Sequence, residues 1–358
     1  MIAINIFVFI LGALLAALTL ISAFKTLVLP RGSRDFLTYF AFKLTWVFFL
    51  PATRLTRSYE QRDRIMAFYA PLTLMLLPAS WLFLIIVAYS MMYWAAGVRP
   101  LAEAFLLSGS SLFTLGFARA ETLFTLVLVF TEAALGLSMV ALLIAYLPAM
   151  YSAFQRREQA VNLLEVRAGS PASAVEWIQR AYRINWLASM GEQFGSWENW
   201  FADLEESHTS LSPLVFFRSP QPDRSWITAS GAVLDTAAMM LAIVNVQFED
   251  VEAQLCLRAG YLALRRISDV FGIQYKEDAS YPEDPISISR EEFLAACAEL
   301  QQSGVPLKTD LEQGWRDYAG WRINYDQPLL ALAALTKAPY APWSSDRSIQ
   351  GMRDISPG

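Results

Sequence analysis

Three long stretches almost free of charge, followed by helical periodicity over residues 155–337, predict an all-α membrane protein with a soluble helical portion. Of its 358 residues, 55% are hydrophobic and 17% charged, and mean hydropathy is +0.35, which suits a chain partly immersed in lipid. A net charge of −5 argues against a nucleic-acid binder. Cys256 and Cys297 follow no CxxC spacing and His208 is the single histidine. Neither a zinc site, nor a cytoplasmic disulfide, nor a Ser–His–Asp set is therefore expected, and the chain is read as no enzyme.

Residues 3–24 carry no charge and are long enough to span. Lacking the basic start of a signal peptide, they read as an anchor within 1–30; a removed leader would instead place the next stretch outside the cell. That stretch, 31–64, is basic, with Lys25 just ahead of it: Arg31, Arg34, Lys43, Arg54, Arg57, Arg62 and Arg64 face only Asp35, Glu60 and Asp63. The positive-inside rule puts it in the cytoplasm and the N-terminus outside. Within it, 36–52 is apolar and aromatic around Lys43. An interfacial helix with Tyr39 and Trp46 at headgroup level is favoured over a fourth crossing, which would turn the N-terminus inward. Residues 65–97 then cross outward, with kinks expected at Pro71 and Pro78. Residues 122–151 return and end at the basic pair Arg156–Arg157, with a bend expected at Pro148.

Between these two spans lies the sequence LAEAFLLSGSSLFTLGFAR, residues 101–119. It opens as an amphipathic helix too short to cross and closes in Thr114-Leu115-Gly116-Phe117-Ala118, which has no helix periodicity. Irregular backbone at membrane depth is tolerated where it is buried in protein or lines a water-filled path, so the layout reads as a re-entrant loop. In the returning span, Glu132 is an acid at membrane depth, costly unless it serves a purpose. It can brace the short helix through Ser108, Ser110 or Ser111, face a cavity and concentrate cations, or simply be satisfied at a helix interface.

The run Thr114-Leu115-Gly116-Phe117-Ala118 resembles the TVGYG selectivity filter of the tetrameric potassium-channel superfamily. The order span, half-helix, filter-like run, span over residues 66–153 strengthens the resemblance. It departs at Ala118, which replaces the second filter glycine, at Arg119, where an acid is common, and at Phe117, which lacks the tyrosine hydroxyl. The resemblance implies a pore-loop domain over 65–154 in the cytoplasmic membrane. Four copies would surround a path for K+ or another monovalent cation, with no cofactor. It implies that the carbonyls of Thr114, Leu115, Gly116 and Phe117 bind the ion and that Ser108, Ser110, Ser111, Ala118 and Glu132 support them, the brace being the Glu132 reading it favours. Gly136 falls where the family has its hinge. A left-handed Ala118 would cost about 1–2 kcal/mol.

Two other readings stand beside a potassium-type channel: a non-selective cation channel, and a non-conducting sensor or scaffold that uses the pore fold for assembly. The expected partners are further copies of the chain, membrane lipids and an unidentified cytoplasmic ligand or protein.

From residue 155 the chain reads as a cytoplasmic helical domain. Ser170-Pro171 predicts a helix start running to about Met190, and 192–206 predicts another helix. Residues 226–246 read as the buried helix of a bundle, with a further span as the alternative. Residues 249–271 are amphipathic, Ser289–Glu292 is a capping box, and 309–337 is helical with a break at Pro328. Trp177, Trp186, Trp315 and Trp321 either line a ligand pocket or fill a core, and their helical spacing favours core. Residues 338–358 read as a flexible tail. With no strand alternation and no GxGxxG, the nucleotide-binding domain common on prokaryotic potassium channels is not expected.

Overall fold

The computed structural model describes residues 2–27, 36–55, 59–248 and 250–347. The structure is all-α, 76% helical, with no strands among the described residues. Two compact units divide the chain, Met1–Arg54 with Phe68–Ser152, and Leu55–Ala67 with Ala153–Gly358. The expectations for Arg31, Arg34, Asp35, Arg57, the Tyr39 side chain and residues 348–358 fall outside the described residues.

The first unit contains α1 (Ile2–Leu27) and α2 (Phe36–Leu55). Helix α3 (Tyr59–Met66) belongs to the second unit, and α4 (Tyr69–Ala95) and α5 (Leu101–Leu112) return to the first. Helix α6 (Leu123–Ala168) supplies residues to both. Helix α1 buries small residues, Gly12, Ala16, Thr19, Ser22 and Ala23, and exposes large apolar ones such as Phe7, Ile10 and Leu18. This inversion of the water-soluble pattern is what lipid permits, because tails solvate leucine while small residues let backbones approach. At Gly12 an added Cβ would stand 2.6 Å from the Ala88 carbonyl oxygen, so glycine sets the spacing between α1 and α4. The Trp81 indole donates to Ser22 Oγ at 3.1 Å in the same seam.

Among the described residues, three helices are long and apolar enough to cross a membrane, Ile2–Leu27, Tyr59–Ala95 (α3 with α4) and Leu123–Ala168. Helix α2 is not among them; Lys43 is exposed on it and Pro51 lies inside it. With twelve residues, α5 reaches about 18 Å against the roughly 30 Å of a hydrocarbon core. Near Pro71 the helix is interrupted, between α3 and α4. Pro71 itself is the third residue of α4, where no intrahelical N–H is required, and the chain turns before it, at Ala67 and Phe68. Pro78 and Pro148 lie within α4 and α6.

The basic pair does not end the helix. Helix α6 runs on to Ala168, and Arg157, instead of facing water, is buried against carbonyl oxygens of the second unit. Pro171 does not open the next helix either, because the N-cap is Ser173. Helices α7 (Ala174–Arg183), α8 (Met190–Ser210) and α9 (Trp226–Ala242) follow. Every residue of α9 except Leu241 is buried, so it is the core of a bundle. Helix α10 (Asp250–Val270) packs on α8 and α9, where Gly260 leaves no room for a Cβ beside Leu234 and Phe201.

The Ser289 capping box opens α11 (Arg290–Gln302). The break expected at Pro328 falls earlier, between α12 (Leu311–Arg322) and α13 (Asp326–Thr336). Pro328 then sits in the first turn of α13, where proline is tolerated. Residues 338–347 are not a loose tail: Ala341, Ser344 and Ser345 are buried, and Arg347 Nη2 reaches Glu292 Oε1 at 2.6 Å. Trp177 and Trp315 lie in the core of this unit, with Trp186 and Trp321 packed against it, so these four fill space.

Candidate functional site

The residues from Leu101 to Glu132 meet inside the first unit because α5 packs on α4 and carries hydroxyls on its buried face. Ser108, Ser110 and Ser111 are buried there beside Ala104 and Leu107. Glu132, fully buried on α6, accepts from Ser108 Oγ through Oε1 and from the Tyr93 hydroxyl through Oε2, the latter at 2.9 Å. Ser108 Oγ also lies 3.1 Å from the Ile86 carbonyl. One carboxylate thus ties α4, α5 and α6 together, and each of its oxygens has a hydroxyl partner. An acid in an apolar setting without such partners costs several kcal/mol.

Ser110 and Ser111 do not reach Glu132. Ser111 Oγ donates to the Leu107 carbonyl at 2.7 Å. Ser110 holds the irregular run at two points: its carbonyl accepts from Leu115 N–H at 2.8 Å, and its Oγ accepts from Ala118 N–H at 3.1 Å. The chain therefore folds back over the end of α5 between these bonds.

Within the turn, Phe113, Thr114, Leu115, Gly116 and Phe117 are exposed. Thr114 and Gly116, alternate residues, have positive φ of 56° and 72°. For β-branched Thr114 this is a strained conformation, of the order of 1–3 kcal/mol, as often seen at functional sites. Gly116 has open space where a Cβ would sit, so the dihedral and not crowding explains the glycine. Ala118 is not left-handed, and the strain expected there falls on Thr114. Arg119 and Glu121 are exposed.

No family model, curated protein or solved structure matches this chain. The functional reading therefore rests on the geometry of the chain itself.

Gly136, expected as a hinge, sits in unbroken α6, facing the carbonyl oxygen of Leu112 with no room for a Cβ. Tyr93 was not foreseen as part of the site. The available signal is the spacing of Tyr89 and Tyr93 on one helix face, opposite a span that contains an acid. Tyr89 makes a parallel contact, donating to Thr131 Oγ1 at 3.2 Å.

Among the described residues, no group of three or more His, Cys, Asp or Glu could hold a metal ion. The second unit contains a cavity of about 610 Å³ lined in part by Arg180, Asp235, Glu292, Glu299 and Trp343. Its carboxylates already have partners: Asp235 in Arg322, Glu292 in Arg347, and Glu299 in Gln179.

Proposed function

We propose that the chain is a potassium-type cation channel, conducting passively through a homotetramer, with the helical unit in the cytoplasm regulating it. The supporting observation is the braced half-helix. An apolar helix too short to cross lies between two helices long enough to do so. It is fixed by a buried Glu132 and followed by an exposed, non-helical run in which alternate residues have positive φ.

Such a run presents peptide oxygens that can replace the hydration shell of a cation. The C-terminal end of α5 adds the negative pole of a helix. One such loop encloses no path, so four copies around an axis are required, and the exposed Leu115 and Phe117 side chains would be covered by neighbouring subunits or lipid.

The departures at Phe117, Ala118 and Arg119 favour a second reading, a non-selective cation channel. Arg119 adds positive charge near the proposed mouth and lowers the local cation concentration. Purified protein in vesicles, with K+ and Na+ gradients compared, separates the readings. Flux with K+ well above Na+ supports the first, and equal flux supports the second. No flux above empty vesicles from a verified tetramer rejects both and leaves a scaffold. The Ala118→Gly variant should increase preference for K+ if the outer filter turn limits selectivity.

A further inference from the structure

Both helices that flank the half-helix are continued by segments of the second unit, α3 ahead of α4 and the C-terminal part of α6. One loop of that unit holds both. Arg157 of α6, about 1% exposed, donates to the carbonyls of Leu214 at 2.9 Å and Phe217 at 2.7 Å. The next residue, Arg218, pairs with Asp63 of α3 and donates to the Thr336 carbonyl at the end of α13 at 2.8 Å. Farther along, Arg224 donates to Asn162 of α6 at 2.6 Å and pairs with Glu165.

The loop is itself anchored, since Pro213, Leu214 and Val215 are buried. Arg157 and Asp63 are also buried, which shields their contacts from the screening that makes surface pairs weak. Two helix ends tied through one short segment cannot separate independently, so a change in that segment biases both.

We propose that residues 214–224 form a yoke that couples α3 to α6 and restrains conduction, so that releasing its Asp63 end raises flux. The proposal rests on the channel reading above. Its test uses the full chain in vesicles, with K+ flux measured for Asp63→Asn, Arg218→Met, the double variant D63N/R218M, the exchange D63R/R218D and the control Arg290→Met. The control cuts the Arg290–Glu312 pair, which lies on the surface of the same unit with both side chains 49% exposed.

Asp63→Asn keeps the Arg218 bond to Thr336, so it carries the test if Arg218→Met fails to fold. Each single variant should raise flux about threefold or more, and the double should fall well short of the product of the two singles, because both cut the Asp63–Arg218 pair while Arg218→Met also removes the bond to Thr336. The exchange restores the pair but not the bond to Thr336, so it should lower flux below that of either single variant, and Arg290→Met should leave flux unchanged. Unchanged or lowered flux in the single variants, or a double that reaches their product, in folded tetramers would overturn the yoke while leaving the channel intact. Absence of flux in the unmodified chain removes the channel reading and the yoke with it.

Discussion

Gly136 of α6 lies against the carbonyl oxygen of Leu112 at the end of α5, and a Cβ added there would collide with it and stand 3.0 Å from Leu112 Cδ1. Two effects of Gly136→Ala oppose each other. Alanine improves helix propensity by about 1 kcal/mol, whereas overpacking against backbone costs about 1–3 kcal/mol. The obstacle is a carbonyl that cannot swing aside, so overpacking should win. Gly136→Ala should lower the thermal midpoint of the purified protein and reduce flux. A raised midpoint would show that the close approach is not sustained and would restore a purely conformational role for the glycine.

Glu132 provides the second prediction. Glu132→Ala leaves the Tyr93 hydroxyl without its acceptor, at about 1–3 kcal/mol for a buried group left unpaired, and leaves Ser108 only the Ile86 carbonyl. Glu132→Gln keeps shape and an acceptor oxygen, and should cost less. The order expected in midpoint and in K+ flux is unmodified, then Gln, then Ala. If Tyr93→Phe and Ser108→Ala added their effects independently in a double-mutant cycle, the carboxylate would not be acting as a shared brace.

How far these features were legible in the sequence depends on range. Charge-free runs disclosed the apolar helices, Ser289 and Glu292 disclosed a helix start three residues apart, and the apolar continuity of α9 disclosed a bundle core. Glu132 stood out because an acid within an apolar run is costly, yet its partner Tyr93 is 39 residues away and nothing local points to it. Asp235 and Arg322 are 87 residues apart. Prolines marked the interruptions to within about a turn: the breaks fall just ahead of Pro71 and Pro328, which themselves sit in the first turns of α4 and α13. Arg157 reads as water-facing like its exposed neighbour Arg156, because carbonyl acceptors from a distant loop leave no mark near an arginine.

A third prediction concerns acid. His208 is fully buried. Its Nδ1 faces the Leu204 carbonyl at 3.0 Å, which leaves Nε2, 3.2 Å from Arg157 Nη1, to accept from the guanidinium. Burial first, and then the Arg157 charge, hold its pKa well below the ordinary 6.5. As pH falls through 6.5 the unfolded chain takes up a proton that the folded chain refuses. Stability contributed by neutral His208 is thus complete above that value and declines below it, by up to about 1.36 kcal/mol per pH unit. His208→Gln should flatten that part of the profile. Thermal midpoints between pH 7.5 and 5.5 that fall equally in both proteins would rule out His208 as the source.

The last prediction addresses why α9 tolerates an acid. Asp235 lies in an otherwise uncharged buried helix, and Arg322 Nη1 reaches both of its oxygens at 2.8 Å. The Tyr325 and Tyr318 hydroxyls donate to Oδ1 at 2.8 and 3.1 Å. Burial opposes the charge on Arg322, but Asp235 and Asp326 outweigh it and raise its pKa further, so the guanidinium stays charged. Removing one partner strands the other, and Arg322→Met should cost about 3–5 kcal/mol of stability. Asp235→Asn retains an acceptor for the tyrosines but leaves Arg322 only Asp326 as a counter-charge, so it should cost less than Arg322→Met. The double variant D235N/R322M should be less destabilised than the sum of the two, because no unpaired charge remains from the pair. Chemical denaturation followed by tryptophan fluorescence reads all three, and strict additivity would show that the two side chains stabilise the bundle separately.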